Sequence, residues 1–302
     1  MAKYVTPAME RFNKTRKSSA KRKSTFWGDA WKRMKRNKLG LVGVVLILIL
    51  VLVAIFADQI CPYNYAKTAP LEAYQGPSLQ HLFGTDNLGR DIFSRCIYAT
   101  RISLFIGVVS SVAAVVVGGT LGLIAAYFMK AVDNIIMRIM DIFQAIPPML
   151  MSITVVAALG TGVPALITAI TLATMPLFAK TVRSAVLTVR SSEFVTASRT
   201  LGAGNLRLML CHILPNCVGH IIIFIVSSIS GSILFISMMS YINLGVQAPT
   251  PEWGSMLAEG KEQMRYFPHL VTIPGFAIIV AVLSLNLMGD GLRDALDPRL
   301  KN

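Results

Sequence analysis

Long uncharged runs of apolar residues alternate with short polar segments along most of the chain. A helix of about 20 apolar residues crosses a bilayer, and the run at 142–179 is too long for one crossing. The turn residues at 160–164 divide that run into two helices. The pattern therefore predicts an all-α, polytopic membrane protein with six transmembrane helices. The predicted spans are 39–57, 102–129, two within 142–179, 218–241 and 270–289.

The composition and the distribution of charge agree with a membrane protein. Hydrophobic residues make up 54% of the 302 residues and charged residues only 15%, whereas soluble domains carry about 25% charged residues. Of the 29 Lys and Arg residues, 23 lie before the first span, between spans two and three, between spans four and five, and after span six. Because positive residues accumulate in cytoplasmic segments, both termini are predicted to be cytoplasmic.

The predicted spans divide the chain into five parts. These are a cytoplasmic basic N-terminal arm at 1–38, the first transmembrane helix at 39–57, an extracytoplasmic segment at 58–101, a core of five transmembrane helices at 102–289 with a cytoplasmic loop at 190–216, and a cytoplasmic tail at 290–302. The surplus of positive charge in the arm predicts contact with anionic lipid headgroups. Its aromatic residues are not interleaved with the basic ones, so no nucleic acid is expected as a partner.

Motifs for catalysis, nucleotide binding and metal binding are absent from the sequence. There is no G-x-x-x-x-G-K-[ST] and no H-E-x-x-H, so no catalytic residue, metal site or cofactor is predicted. The four histidines, at 81, 212, 220 and 269, are interpreted as structural hydrogen-bonding residues. The four cysteines match no zinc or haem pattern and are interpreted as free thiols, with a Cys61–Cys96 disulfide as the alternative.

One acidic residue lies at the edge of a predicted span and is a candidate for the transport pathway of a membrane protein. Asp141 follows Arg138 by three residues, a spacing that favours an ion pair on a helix. A secondary transporter would be expected to carry several ionisable groups within its spans. The chain therefore offers a pathway but no visible energy source, and the driving force is expected to come from another subunit.

The loop between spans four and five has the pattern of a compact helix–turn–helix. Ser191 or Ser192 is expected to cap a helix whose first turn carries Glu193. The residues at 202–205 tolerate left-handed dihedral angles and end this helix, and a second short helix at 206–213 leads to Pro215, which starts the next span. An amphipathic stripe is formed by Phe194, Val195, Ser198 and Leu201. The alternative interpretation is an interfacial helix that lies among lipid headgroups.

This loop resembles the "EAA" loop of ABC importer permeases, whose pattern is E-A-A-x-x-x-G followed by I-x-L-P. The residues that match this pattern are Ala197, Gly202, Leu214 and Pro215. Those that depart from it are Thr196, Ser198 and His212. Glu193 resembles the acid of the peptide-importer branch, E-[YF]-V-x-A-[AS]-R-x-L-G. The resemblance implies a coupling helix that docks into a cleft of an ATPase subunit. The residues assigned to this coupling are Glu193, Thr196, Ala197, Ser198, Arg199, Gly202, Ala203, Leu214 and Pro215.

Four further segments, 81–104, 133–148, 244–254 and 289–299, resemble the C-type permeases of dipeptide, oligopeptide and nickel importers. The first contains turn glycines and opposite charges, which predict an extracytoplasmic ion-pair network that acts as a scaffold rather than a ligand site. Its residues are Gly84, Asp86, Gly89, Arg90, Asp91 and Arg95. In the second, Pro147 and Pro148 would kink the third span and line the pathway.

The resemblance implies the type I ABC importer permease fold, in the plasma or inner membrane of a bacterium or archaeon. The implied partners are a second homologous permease subunit, two ATP-binding cassette ATPase subunits, an extracytoplasmic substrate-binding protein and membrane lipids. ATP would be hydrolysed in those partners and not in this chain. Di- and oligopeptides are the expected substrates, and nickel, a metal chelate or an export role are alternatives. The residues alone leave open a stand-alone carrier or channel, and a membrane scaffold with a lipid-binding arm.

Overall fold

A computed structural model describes residues 26–296. All of the regular secondary structure in that range is helical, and it contains no strand. The α-helices are α1 (Phe26–Met34), α2 (Lys38–Ile55), α3 (Ala57–Ile60), α4 (Ile92–Phe128), α5 (Lys130–Ala145), α6 (Pro148–Leu159), α7 (Val163–Arg190), α8 (Glu193–Thr200), α9 (Asn205–Arg207), α10 (Leu214–Tyr241), α11 (Trp253–Gly260) and α12 (His269–Leu296). A π-helical segment, Leu208–Ile213, joins α9 to α10. The all-α prediction is confirmed.

The membrane-spanning helices match the predicted number when one bent pair is counted as a span. Five segments are long and apolar enough to cross a bilayer, namely α2, α4, α7, the continuous stretch Asn205–Tyr241 and α12. The sixth is the pair α5 and α6, which bends by 88°. On its own α6 would be about 18 Å long at 1.5 Å per residue, shorter than the roughly 30 Å hydrocarbon core. The predicted third span is therefore a broken helix rather than a continuous one.

The bend between α5 and α6 follows from the two consecutive prolines, Pro147 and Pro148. Neither has an N–H group, so the helical hydrogen bonds to the carbonyls of Phe143 and Gln144 cannot form. The chain turns at this point, and Pro148 becomes the first residue of α6, where a missing N–H costs nothing. Residues 144–148 are all exposed. We call this segment the elbow.

The helices form a bundle whose two ends differ in charge and packing, and we name each end after one arginine. The Arg190 end holds the C-termini of α4, α7 and α12 together with α8. The Arg90 end holds the segment 61–91 and α11. One hydrophobic cluster, which includes Ile92, Trp253 and Leu270, lies toward the Arg90 end. Another, which includes Val186, Val195 and Leu208, lies toward the Arg190 end.

Several helices are longer than the apolar runs that predict them, and α4 and α12 show why. Helix α4 begins at Ile92, ten residues before the predicted span, because Asp91 caps it by accepting a hydrogen bond from the Ser94 amide at 2.8 Å. Helix α12 continues to Leu296, so residues 290–296 of the predicted tail are its last turns. There the Asn37 side chain donates to Asp294 at 2.8 Å, which joins the start of α2 to the end of α12.

Helix α2 packs against α12 at a position where only glycine fits. A Cβ atom on Gly43 would lie 2.5 Å from the amide nitrogen of Met288 and 2.7 Å from the carbonyl oxygen of Ser284. These are backbone atoms of α12, so they cannot move aside as a side chain could. The rest of α2 is largely exposed, and this close approach is one of the contacts that attach it to α12, together with the bond from Asn37 to Asp294.

We therefore expect Gly43→Ala to separate α2 from α12 and to destabilise the protein by about 1–3 kcal/mol through overpacking. The matched control is Gly275→Ala in α12, where a new Cβ would meet its nearest neighbour at 3.9 Å. The measurement is the thermal unfolding midpoint of the detergent-solubilised protein. Equal midpoints for the two variants would contradict the close packing of α2 on α12.

Candidate functional site

The loop at the Arg190 end consists of α8, a tight turn and the start of the long helix that leads into α10. Ser192 occupies the N-cap position of α8, as predicted, but its hydroxyl donates to the carbonyl of Val189 at 2.6 Å instead of capping the helix. Glu193 is exposed in the first turn. The turn after α8 contains Gly202 at φ +85°, a left-handed conformation that glycine adopts without strain. This turn reverses the chain toward α9.

The amphipathic stripe predicted on α8 divides into an inner and an outer face. Val195 is 1% exposed and packs in the cluster of Val186 and Leu208. Phe194 is 45% exposed and Leu201 is 88% exposed, so these two point away from the bundle. Leu206 and Leu210 extend the exposed apolar surface beyond the turn. Several exposed apolar side chains on one short loop fit a protein–protein contact.

Contacts with the end of α4 fix the position of the loop. The Arg199 guanidinium lies 5.8 Å from the centre of the Tyr127 ring, within the range of a cation–π interaction. The Tyr127 hydroxyl donates to the Asn205 side chain at 2.6 Å. The loop is thus held on both sides of the Gly202 turn by one tyrosine.

The predicted coupling residues lie together at the Arg190 end and differ in exposure. The exposed ones are Glu193, Thr196, Ala197, Arg199, Gly202 and Pro215, and the partly buried ones are Ser198, Ala203 and Leu214. Ala203 and Leu214 pack against the same cluster as Val195. Leu214 begins α10, with Pro215 in the first turn. The predicted second helix at 206–213 is in fact α9 and the π-helical segment, and it continues into α10 without a break.

A cavity of about 440 Å³ lies between the elbow, α7 and α10. Its polar lining consists of Gln144, Thr174, Ser227, Ser228 and Ser232, and its aromatic lining of Phe178, Phe224 and Phe235. None of the described residues that line it is charged. Gln144, Pro148 and Gly231 are exposed at its wall, so the cavity opens to the surface.

The three residues predicted for the pathway have different positions relative to this cavity. Pro148 lines it, whereas Pro147 and Asp141 are not among the described lining residues. Asp141 contacts Lys180 of α7 at 2.7 Å, and Lys180 also donates to Gln144. The prediction that Asp141 pairs mainly with Arg138 is therefore wrong. An ion pair between two helices, beside the cavity wall, takes its place.

Two acids and two arginines form a buried ionic cluster at the Arg90 end. Arg90 binds Asp86 at 2.6 Å and Glu259 at 2.7 Å, and Arg95 binds Glu259 at 2.7 Å and also Asp86. Asp86, Arg90 and Arg95 are each less than 7% exposed. Buried charges are tolerated when they are paired in this way. The cluster supports the scaffold interpretation, since each described member is bound to another one.

The predicted network differs from the observed cluster in one member. Asp91 belongs to a separate contact, in which its carboxylate bonds to the His81 ring at 2.9 Å while it caps α4. Glu259 of α11 takes its place between the arginines, and no local pattern indicates this contact because Glu259 lies 164 residues beyond Arg95. Gly84 and Gly89 have φ values of +80° and +71°, as expected of turn residues.

A further acid that was missed in the sequence is fully buried. Glu252 is fully buried and caps α11 by accepting from the Ser255 amide at 3.0 Å. The hydroxyls of Ser103 in α4 and Ser237 in α10 donate to the same carboxylate at 3.2 and 3.3 Å. Helix α11 is therefore tied to both long helices, and through Glu259 to the segment 61–91.

The pKa values of two ionisable groups beside the start of α4, Asp58 and Cys61, are shifted by their surroundings. Hydrogen bonds from Tyr98 and then Arg101 hold the pKa of the Asp58 carboxyl below its usual range. Burial raises the pKa of the Cys61 thiol to about 11, so the thiolate is scarce at neutral pH. Cys61 and Cys96 are both free thiols, in agreement with the favoured interpretation. Within residues 26–296 no group of three or more His, Cys, Asp or Glu is placed to hold a metal ion.

Removing Glu259 should leave Arg90 and Arg95 under-compensated in a buried setting. We expect Glu259→Ala to destabilise the protein by about 3 kcal/mol, the low end for a broken buried pair, because the glutamate itself is partly exposed. The matched control is Glu262→Ala, an exposed acid in the turn just after α11. The measurement is again the thermal unfolding midpoint, and a loss no larger than that of the control would show that the cluster adds nothing to stability.

Comparison with known families gives two matches that together span most of the chain. Residues 118–302 match the family described as the binding-protein-dependent transport system inner membrane component. Residues 25–77 match the N-terminal transmembrane domain of oligopeptide transport permease C. The first match alone covers more than half of the 302 residues.

Individual relatives extend over nearly the full length. The dipeptide transport system permease protein DppC of Alkalihalophilus pseudofirmus is 42% identical over 91% of both chains. The glutathione transport system permease protein GsiD of Escherichia coli is 42% identical over 92% of both chains. The di/tripeptide transport system permease protein DppC of Pseudomonas aeruginosa is 41% identical over 91% of this chain and 92% of its own.

Among solved structures, an inward-facing conformation of the MetNI methionine ABC transporter contains a similar chain. The TM-score is 0.56, with 16% sequence identity, over 67% of this chain and 96% of that chain. At this identity the likeness concerns the fold, which is that of a type I importer permease. The chain belongs to the family of inner-membrane components of binding-protein-dependent transport systems.

Proposed function

We propose that this chain is the permease subunit of an ATP-driven importer of short peptides and forms half of its translocation pathway. The observation that carries the proposal is the 42% identity, over 91% of both chains, to a permease whose name specifies dipeptide transport. Relatives named for glutathione and for di/tripeptides also carry peptide substrates in their names. The chain is a transport subunit rather than an enzyme. No observation favours nickel, a metal chelate or a stand-alone carrier.

The proposal includes an orientation and a set of partners. The Arg190 end faces the cytoplasm, because basic residues concentrate there, and the Arg90 end faces outward. In the plasma membrane of a bacterium the chain pairs with a second, homologous permease. Two ATPase subunits bind at the Arg190 end, and a soluble substrate-binding protein delivers peptides at the Arg90 end. Family membership supports these partners in general terms.

The geometry of the loop suggests how ATPase movement reaches the cavity. The exposed face of α8, with Phe194 and Leu201, is the surface that an ATPase cleft would enclose. Its inner face is packed through Val195 in the cluster that contains Leu208, at the start of the helix that becomes α10. The serines of the cavity lie on α10. A displacement of α8 therefore moves the cavity wall, since closely packed side chains transmit strain.

The cavity is suited to peptides whose side chains differ from one another. Its hydroxyl and amide groups can donate to and accept from a peptide backbone, which all peptides share. Its uncharged lining gives little basis for selecting one side-chain charge over another. Selection among peptides then belongs to the binding protein, and this chain provides passage.

The turn between α8 and α9 offers a direct test of coupling. Gly202 adopts φ +85° with no atom near its missing Cβ, so Gly202→Val acts on the backbone alone and forces it out of the left-handed region, at a cost of about 1–2 kcal/mol. We expect peptide uptake per ATP hydrolysed to fall several-fold. The measurement is uptake and hydrolysis by the complete transporter in liposomes.

The matched control is Gly204→Val, two residues later. Gly204 has extended backbone angles, φ −67° and ψ 159°, and open space around its Cβ position. Valine is compatible with these angles, so coupling should be retained. If Gly202→Val transports as efficiently as the control, the assignment of this turn to coupling is wrong.

The subunit composition tests the function itself. Gentle detergent extraction of the tagged chain from its native membrane, followed by mass spectrometry, should recover two ATPase subunits and a second permease of similar fold. A chain that is stable alone and transports along an ion gradient without ATP would contradict the importer.

A further inference from the structure

A peptide has charged ends, whereas the described lining of the cavity between the elbow, α7 and α10 is uncharged. At neutral pH the C-terminus of a free peptide is a carboxylate. Moving a carboxylate out of water is costly unless hydrogen-bond donors replace the water. Donors of this kind, one of them charged, lie at the edge of the cavity where α5 meets α7.

The charged donor is Lys180, which lies one turn beyond the cavity lining on α7. Pro176 and Leu177, four and three residues earlier, both line the cavity, and residues at this spacing share one face of a helix. The Lys180 ammonium lies 2.7 Å from the Asp141 carboxylate and also donates to Gln144, which is itself a lining residue. The ammonium is therefore next to the cavity wall.

The bond from Lys180 fixes the role of the Gln144 side chain. An ammonium can only donate hydrogen bonds, so it bonds to the Oε1 atom of the amide. The Nε2 atom is attached to the same carbon as Oε1 and carries two N–H donors. No described residue accepts from these donors. Gln144 therefore offers donors at the cavity wall, beside a positive charge.

The Lys180 ammonium also has a donor to spare. It carries three N–H groups, and the described residues Asp141 and Gln144 take two of them. The side chains of Lys180 and Asp141 are 38% and 49% exposed, so a ligand can approach the third. Arg138, one turn before Asp141 on α5, is exposed as well. With two positive charges and one negative charge, this edge of the cavity favours an anion.

We propose that Lys180 and Gln144 form a carboxylate-binding site that takes the C-terminal carboxylate of the transported peptide. The two oxygens of a carboxylate can accept from the ammonium and from Nε2 at once, and such charge-assisted bonds are strong. All free peptides share this group, whereas acidic side chains occur in only some of them. Asp141 is a positioning residue, which holds the ammonium beside Gln144. This inference rests on the proposed function.

The position of the site also sets the direction of the bound peptide. Helix α7 ends at the Arg190 end, and Lys180 follows the α7 residues that line the cavity. Helix α5 begins at that same end, and Asp141 precedes Gln144 by one turn. The site is therefore at the edge of the cavity nearer the Arg190 end, and the peptide lies with its C-terminus toward that end.

The test is peptide uptake by the complete transporter in liposomes with its substrate-binding protein, using trialanine and its C-terminal amide as substrates. Lys180→Met removes the charge and keeps the length of the side chain. We expect it to lower uptake of trialanine relative to the amide about tenfold, because a bond to a charged group is lost only for trialanine. Lys180→Arg keeps a charged donor and should restore most of the ratio. The preference of the binding protein is common to all variants and cancels when their ratios are compared.

Gln144→Glu separates recognition from a structural contact. A glutamate can still accept the bond from Lys180, but it has no N–H donor and adds a negative charge. We expect a selective loss of trialanine uptake, whereas a purely structural contact would be kept.

The matched control is Arg183→Met, which breaks the other ion pair between α5 and α7, Arg183–Asp133 at 2.6 Å. Neither residue is among the described lining residues of the cavity. The uptake ratio of the two substrates should stay unchanged in this variant. Equal losses for trialanine and its amide in Lys180→Met, or unchanged trialanine uptake in Gln144→Glu, would overturn the proposal.

A peptide with a photoreactive leucine analogue as its last residue gives a measurement that does not depend on delivery of the amide. Crosslinks to the elbow or to α7 support the site, and crosslinks confined to other parts of the transporter overturn it. If the unaltered transporter imports no peptide at all, the proposed function itself fails, and this outcome is distinct from a failure of the site.

Discussion

The bilayer requires that every backbone N–H and C=O group at membrane depth has a partner or faces water, and this constraint governs the whole molecule. Four of the spans satisfy it with unbroken helices, and the stretch Asn205–Tyr241 satisfies it through α9, a π-helical segment and α10 in succession. Pro176 in α7 and Pro274 in α12 each remove one helical hydrogen bond but leave the helix continuous, whereas the helix breaks at Pro147 and Pro148. At that point Gln144 and Pro148 border the cavity. The break and the cavity occur together because water can serve the backbone groups that the prolines leave unpaired.

The two ends of the bundle differ in how their side chains are paired and exposed. At the Arg90 end, the contacts of Arg90 and Arg95 with Glu259 fix an irregular segment of about thirty residues to α11. That segment could not form a hydrophobic core by itself. At the Arg190 end, α8 has only Val195 buried and leaves Phe194 and Leu201 exposed. The Arg90 end is thus held together by buried ion pairs, and the Arg190 end presents exposed apolar side chains that suit a partner.

Local sequence patterns predicted the features that depend on neighbouring residues. The apolar runs predicted the spans, the consecutive prolines predicted the bend, and Gly202 predicted the turn after α8. Features that depend on distant residues were missed, since periodicity carries no information about which helices become neighbours. Lys180 as the partner of Asp141 and Glu259 as the partner of Arg95 are both of this kind. The length of α4 was underestimated because its first turns carry charges that are neutralised only in the folded protein.

The elbow has a mechanical consequence. In an intact helix, a change of direction breaks hydrogen bonds, each worth about 1 kcal/mol in water and more in an apolar medium. At Pro147 and Pro148 those bonds are already missing, so the angle between α5 and α6 can change without breaking any backbone bond. Rotation of α5 is resisted by its ion pairs with α7, Asp133–Arg183 and Asp141–Lys180, and by the buried packing of Met140 against Met175 and Ala179. The charged groups are partly exposed, and such ion pairs contribute about 1 kcal/mol or less each. The angle between α5 and α6 is thus set by side-chain contacts with α7 rather than by backbone hydrogen bonds at the elbow.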